Sequence, residues 1–285
     1  MTRVENPSLR ISNAEYHALP GISASRLKVF LRDPREYWYQ FLSGQFYPEA
    51  KAEFDFGSAV HSIALEKDRS GIIEIPDSVL SASGSRAGNA WKSFAAENSD
   101  KILLKTKDYR RVLDCVDSLA NHPVANHYLS AIGSVEIERT YSVIDDTLDL
   151  SLRCKPDKLF PVSDELATVI DLKTTAVGTR PKQFARSVAN FGYHVQEYFY
   201  RRVLRACDIE VDRFVFIAVS TEPPYTVDCY SLSAEFLRLA ETSVENALED
   251  LAERTRENRW YPLSFQSIVE LGPPNFLKYD SEYDL

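Results

Sequence analysis

Apolar side chains recur at three- and four-residue steps in the first part of the chain and at two-residue steps from about Ser134. Leu27, Phe30 and Leu31 fall on one face of a helix expected over Ser25–Leu31, with Ser23 or Ser25 placed to cap it. Pro34 opens a second, aromatic helix carrying Tyr37, Trp38, Tyr39 and Phe41. Ala59, Ile63 and Glu66 recur at helical steps within Phe56–Glu66. Ser81–Asn89 is rich in Ser and Gly and reads as a mobile loop ahead of a helix around Trp91. Val112, Val116 and Leu119 share one side of a helix over Asp108–Leu119.

From Val135 to Val143 the residues alternate as in a half-buried strand, Asp145-Asp146 supply a turn, and Leu148–Leu152 alternates again, which predicts a hairpin. Ala167–Lys173 is a third strand whose apolar run ends in charge. Pro181–Ala206 is helical with a break at Gly192, and Phe214–Ser220 is apolar enough for a central buried strand. Thr226–Leu232 is a further strand, and a long amphipathic helix over Ser233–Arg259 is capped by Ser233. This order predicts one α/β domain: a mainly helical portion over 1–133, a core over 134–260 and a tail over 261–285.

Composition narrows the class. With 285 residues, 44% hydrophobic and 26% charged, the chain can bury a sizeable core, which excludes wholesale disorder. Four scattered cysteines form no CxxC pair, so a zinc site, an iron–sulfur site or a disulfide scaffold is not expected. No segment has the length and apolarity of a signal core or a membrane span, and the expectation is a soluble protein of a reducing compartment. The net charge of −9, from 33 basic and 42 acidic residues, argues against a generic nucleic-acid coat. It does not argue against an enzyme that gathers carboxylates around metal ions.

Such carboxylates occur at Lys155-Pro-Asp157 and, fourteen residues beyond Asp157, at Asp171-Leu-Lys173. Adjacent strands would bring the two aspartates to neighbouring strand ends, offering the oxygen ligands a hard cation such as Mg²⁺ takes. The period of two puts Asp171 and Lys173 on one face and leaves the Leu172 carbonyl free to join the metal. Lys173 could then orient or deprotonate an attacking water and offset charge on phosphorus. Taken alone, such a pair also arises by chance, as a turn and a solvated strand end.

The arrangement resembles the PD-(D/E)xK nuclease superfamily, through Pro156-Asp157 and Asp171-Leu172-Lys173. Phe56–Glu66, with His61, is similar to the GxxxHxxxE-like helix of RecB-type nucleases, where the histidine is a metal ligand. Gln196 and Tyr200, one helical turn apart, resemble the QxxxY motif of the same subset. Asn13–His17, Ile22–Leu27, Asp171–Thr175 and Tyr193–Gln196 resemble exodeoxyribonuclease VIII (RecE-like) exonucleases, in correct order. The resemblance implies a restriction-endonuclease-like core, a mixed central β-sheet flanked by helices, with Mg²⁺, or Mn²⁺ in its place, held by His61, Asp157, Asp171 and Leu172. It further implies digestion of linear double-stranded DNA from a free end, 5′→3′, leaving 3′ single-stranded tails for recombination. A ring-shaped homo-oligomer, a single-strand annealing recombinase as partner, and the cytoplasm of a bacterial or phage-infected cell are implied in the same way. Iron–sulfur members carry a cysteine before the proline where this chain has Asp33-Pro34, so no iron–sulfur cluster is expected.

Blander roles stand beside these. Glu138 could serve the site or a solvated strand face, and Lys155 could contact a phosphate or merely flank the metal. Ser23, Ser25 and Arg26 could cradle a terminal 5′-phosphate or simply cap a helix. His17, His122, His127 and His194 suit surface or packing roles. The basic stretches 101–111, 180–186 and 201–205 could line a DNA channel, the acid of 241–253 and Asp280–Asp284 lying away from it. Rival functions are a structure-specific or defence endonuclease of the same superfamily, and a non-catalytic DNA-end or protein-binding module on a nuclease fold.

Overall fold

The computed structural model describes residues 2–46, 52–131, 135–163, 165–261, 268 and 270–273. The expected boundary at Ser134, most of the tail and Asp280–Asp284 lie outside them. In chain order the elements are β1 (Thr2–Arg10), α1 (Asn13–Ala18), α2 (Ala24–Arg32), α3 (Pro34–Phe41), α4 (Ala52–His61), β2 (Ile72–Glu74), α5 (Asn89–Glu97), β3 (Ile102–Leu104), α6 (Thr106–Asn121) and α7 (Pro123–Ser130). There follow β4 (Glu136–Ile137), β5 (Arg139–Asp145), β6 (Leu150–Cys154), β7 (Lys158–Pro161), β8 (Leu166–Thr175), α8 (Pro181–Phe191), α9 (Tyr193–Arg205), β9 (Glu210–Ser220), β10 (Val227–Tyr230) and α10 (Ala234–Glu257).

A central sheet in the order β10-β9-β8-β7-β4 carries one parallel pair, β8 with β9, and antiparallel pairs elsewhere. The α8–α9 segment makes the crossover that a parallel pair requires. Alternation divides the core between the two faces of this sheet. Val169, Phe214, Phe216 and Ala218 pack in one cluster with residues of α2, α9 and α10. Ile170, Leu172, Val215 and Ile217 pack in the other, with residues of α4, α6 and α7. Asp171 and Lys173 therefore project on the α9 side, and Leu172 and Thr174 on the α4 side.

Several expectations are corrected. The alternating run Val135–Val143 is not one strand: it breaks at Glu138, with β4 in the central sheet and β5 in a separate antiparallel sheet, β1-β5-β6. The mainly helical N-terminal portion also carries strands: β1 adds an edge strand to that second sheet and β2 pairs with β3. The sequence of β1, TRVENPSLR, holds a proline and no alternation, and its pairing shifts register twice. The helix expected over Phe56–Glu66 is α-helical only to His61 and continues as a π-turn over Ser62–Glu66. The break at Gly192 occurs as expected: its φ is +62°, and a Cβ there would come within 2.8 Å of Lys28 Cδ.

Two local devices hold the elements that carry the site. Ile22 pairs with β6, its N–H donating to Ser151 O at 2.7 Å, which pins the start of α2 beside that strand. Gly21, with φ +91°, permits this approach, since an added Cβ would lie 2.8 Å from the Ser151 carbonyl oxygen. On the opposite face Lys158, 1% exposed, donates to the carbonyls of Tyr128, Leu129 and Ala131 at 2.8, 3.0 and 3.1 Å, closing the end of α7 onto β7. Lys158→Met strands those acceptors, and we expect a loss of about 2–3 kcal/mol. Urea unfolding checks it: a lowered midpoint with unchanged slope is expected, and an unchanged midpoint would refute the capping role.

Candidate active site

Three donor-bearing side chains converge at the β7 edge of β8. Suitable ligand atoms of His61, Glu138 and Asp157 lie within 4.8 Å of one another. Asp157 follows Pro156 in the turn between β6 and β7. Its Oδ2 accepts the Leu172 N–H at 2.7 Å, so the carboxylate takes a ladder position on β8. Glu138 lies where the chain crosses between the two sheets. Its φ of +53° is the left-handed region, which costs a non-glycine residue about 1 kcal/mol, and its N–H donates to Asp157 O at 3.1 Å. His61 ends α4 where the helix widens, a distortion often found at functional sites. Its Nδ1 is 3.5 Å from Asp157 Oδ2, and the Leu172 backbone also bonds its ring.

Asp171 stands just behind this cluster. It is 1% exposed, with Oδ1 accepting from Gln196 Nε2 at 2.6 Å and Oδ2 paired with the Lys173 ammonium. One oxygen is hydrogen-bonded and the other ion-paired, and the trio of converging donors has Glu138 where the sequence suggested Asp171. Each oxygen keeps a further lone pair, so Asp171 stays available as a ligand. Lys173 also lies 5.0 Å from the centre of the Tyr193 ring.

The expected helix residues hold the site from behind. Gln196 fixes Asp171, and the Tyr200 hydroxyl donates to the Lys155 carbonyl at 3.2 Å. Lys155 Nζ in turn bonds Glu138 Oε2 and Asn13 Oδ1, each at 2.6 Å, so it orients Glu138. Ser23 Oγ accepts the Arg26 N–H at 3.3 Å as the cap of α2 and lies 2.9 Å from Ser25 Oγ. The Arg26 guanidinium donates to the carbonyls of Gly21 and His17, at 2.7 and 3.2 Å. These contacts build the start of α2. Arg201, Arg202 and Arg205 are ion-paired with Glu197, with Asp145 and Glu245, and with Glu210, so that stretch adds no free positive charge to a channel.

Nothing in the sequence marks Lys28, and Asn13 and Tyr193 stand out there only as the first residues of the stretches Asn13–His17 and Tyr193–Gln196. Lys28 Nζ donates to Phe191 O at 3.0 Å and lies 5.9 Å from the centre of the Tyr193 ring, which Lys173 also approaches. A lysine and a tyrosine on amphipathic helices look like ordinary surface residues, and only the tertiary fold sets these around Asp171.

Charge and burial act together on these groups. Burial, with the nearby charge of Asp171, pushes the Asp157 carboxyl up to about 7 against the pull of Lys173. Glu138 is raised by burial and by Asp157. Burial and Lys173 hold His61 below its ordinary value, so its ring is neutral at physiological pH, the form that binds metal. Burial alone would lower Lys173, but Asp171 and Asp157 outweigh it and the ammonium is raised. Lys28 is pushed down to about 8 by burial and by Lys173. Two half-buried carboxylates, Glu138 and Asp157, repelling each other beside a neutral imidazole form a donor set that fits a divalent cation.

A solved structure from Eubacterium rectale, titled "Putative exonuclease", superposes on 97% of this chain and 100% of its own, with a TM-score of 0.60 at 13% identity. A second, of SSO0001, aligns over 68% of this chain and 85% of its own at 16% identity, with a TM-score of only 0.27. No curated protein matches the sequence. The family model described as a PDDEXK-like domain of unknown function (DUF3799) matches residues 23–263, which include every residue of the cluster. The mixed sheet flanked by helices fits that description, and the chain belongs to this PDDEXK-like family.

Proposed function

We propose that the protein is a metal-dependent deoxyribonuclease that digests linear double-stranded DNA from a free end. One observation carries this reading: His61, Glu138 and Asp157 converge beside an Asp171–Lys173 pair on the same strand end. The exonuclease mode draws support from the fold shared with the Eubacterium rectale protein over nearly the whole chain. The 5′→3′ direction, the 3′ tails left for a single-strand annealing recombinase and a ring-shaped homo-oligomer belong to the same reading.

His61, Glu138 and Asp157 would hold the cation, with the Leu172 carbonyl and the Asp171 carboxylate at hand. Mg²⁺ is the proposed ion; an imidazole among carboxylates suits Mn²⁺ at least as well. When bound, the cation would supply Lewis-acid polarisation of the scissile phosphate and a more acidic water. The protein's own groups do the rest. Lys173, kept protonated by Asp171 and Asp157, orients the attacking water and offsets negative charge growing on phosphorus. That assigns it the role of a cation rather than a base. Gln196 fixes Asp171, and Lys155 fixes Glu138, so neither carboxylate reorganises as charge develops.

The test is release of acid-soluble nucleotides with Mg²⁺ from linear duplex and from the same DNA as a covalently closed circle. Release from the linear form alone, lost in Asp171→Ala, is the expected result. Cutting of the circle would overturn the exonuclease mode, and equal release by Asp171→Ala would overturn the catalytic assignment.

A further inference from the structure

Beyond the C-terminal ends of β8 and β9 lies a cavity of about 420 Å³. Open α/β sheets commonly bind ligands at this end of their parallel strands. Phe56, Leu104 and Ala176 give it apolar walls, and Arg86 and Arg111 reach in beside Asp108 and Glu222. None of these belongs to the metal cluster, yet the two sites share their supports. Phe56 lies five residues before His61 on α4, about 7.5 Å along the helix axis. Thr174, on the cavity wall, directly follows Lys173 on β8.

The lining discriminates among ligands. Arg111 donates to Asp108 at 3.1 Å and to the Thr221 carbonyl at 2.8 Å, and pairs with Glu222. Its charge is thereby offset, and a free phosphate entering here would meet two carboxylates. The same guanidinium lies 5.2 Å from the centre of the Phe56 ring. Arg86 donates through one terminal nitrogen to Leu103 O at 2.6 Å, while its Nε is buried without a hydrogen-bond partner among the described residues. What fits is a flat, neutral group with apolar faces and both donors and acceptors on its edge. A nucleobase has that chemistry, and every base has a face to stack. A space of this volume takes one nucleoside and is far too small for a base pair in its duplex.

We propose that this cavity receives one unpaired nucleobase of the DNA strand passing Lys173, with Phe56 and the Arg111 guanidinium lying over its ring as the wall it packs on, and the Arg86 guanidinium at its edge. Phe56 and His61 stand about 7.5 Å apart along α4, on the order of two B-form steps of one strand, so the base would lie a few nucleotides at most from the scissile phosphate. The duplex end is then opened before it is cut. This rests on the deoxyribonuclease reading above and deepens it by placing a strand-separating contact beside the metal cluster.

Ala176 is exposed and belongs to neither the cluster nor the core, so Ala176→Trp fills the cavity without disturbing either. The probe is a linear duplex with 2-aminopurine at successive positions from its 5′ end, bound in Ca²⁺ and then digested in Mg²⁺. We expect a change in emission at one position near the end, lost in Ala176→Trp. We also expect a KM for digestion raised about five-fold or more with kcat nearly unchanged, the weaker end of what one stacked base contributes. If wild type and Ala176→Trp give the same emission and the same KM, the inference falls while digestion by wild type leaves the nuclease reading intact. If wild type binds the duplex without digesting it, the nuclease reading falls and the emission alone decides: signal lost in Ala176→Trp supports the cavity, signal kept refutes it. Absence of any binding overturns both.

Discussion

Lys173→Ala is expected to lower kcat on linear duplex by about 10³-fold, while affinity for the same DNA in Ca²⁺ changes less than about ten-fold. The reason lies in when its charge is needed. A preorganised cation aimed at developing negative charge acts in the transition state, and removing one such group commonly costs 10²–10³ in rate, roughly 3–4 kcal/mol. The upper end applies here because Lys173 is the partner of a carboxylate only 1% exposed, so its loss also leaves Asp171 and Asp157 repelling each other. Gln196→Ala removes only a brace on Asp171, and a loss of about 10–100-fold is expected. The order of the two effects is the test. If Gln196→Ala is as damaging as Lys173→Ala, or if both act on KM alone, Lys173 is a binding residue and not a stabiliser of the transition state. Thermal unfolding of both variants in the absence of metal separates a lost group from a lost fold.

How far the sequence reaches is clear from individual residues. Asp157, Asp171 and Lys173 were found because their chemistry is tied to strand ends, and a strand end is written in local alternation. Gln196 and Tyr200 were found as a pair four apart, but not for what they hold: the contacts to Asp171 Oδ1 and the Lys155 carbonyl span 25 and 45 residues. Glu138 was visible only as an acid on a strand. Its backbone turns left-handed between two sheets, and nothing in Val135–Val143 announces that break, because alternation continues on both sides of it. β7 escaped for its length of four residues, and β1 because an edge strand needs little apolar patterning when its partner supplies the ladder. The arginines at 201, 202 and 205 looked like a basic patch. Glu197, the partner of Arg201, is four residues away on the same helix, but Asp145, Glu245 and Glu210, the partners of Arg202 and Arg205, lie on other elements, and local composition does not contain that neutralisation.

Without metal, the fold should lose stability as pH rises from about 4 to about 7, and a divalent cation should restore it most strongly at the alkaline end. The Asp157 carboxyl is pushed up to about 7 in the folded protein, against 3.8 for the ordinary group. Across that window the folded state binds more protons than the unfolded state, so unfolding free energy falls with rising pH. A three-unit difference corresponds to at most about 4 kcal/mol. Glu138, raised in the same direction, adds to the slope, while Lys173, raised as an ammonium, stabilises throughout this range and loses its contribution only far above it. A cation held by His61, Glu138 and Asp157 binds the ionised carboxylates, so the rise in Tm produced by Mn²⁺ or Ca²⁺ should grow from pH 5.5 to pH 8. Asp157→Asn keeps an acceptor for the Leu172 N–H and removes the charge. It should be more stable than wild type at pH 8 without metal, nearly flat with pH in its own contribution, and unresponsive to the cation. Glu197 provides the control: burial pushes it up to about 7, but it pairs with Arg201 and is not one of the three converging donors. Glu197→Gln should flatten part of the pH dependence and leave the metal-induced shift in place. A metal shift equal at pH 5.5 and 8, or one that survives in Asp157→Asn, would place the cation elsewhere and remove the basis of the catalytic assignment.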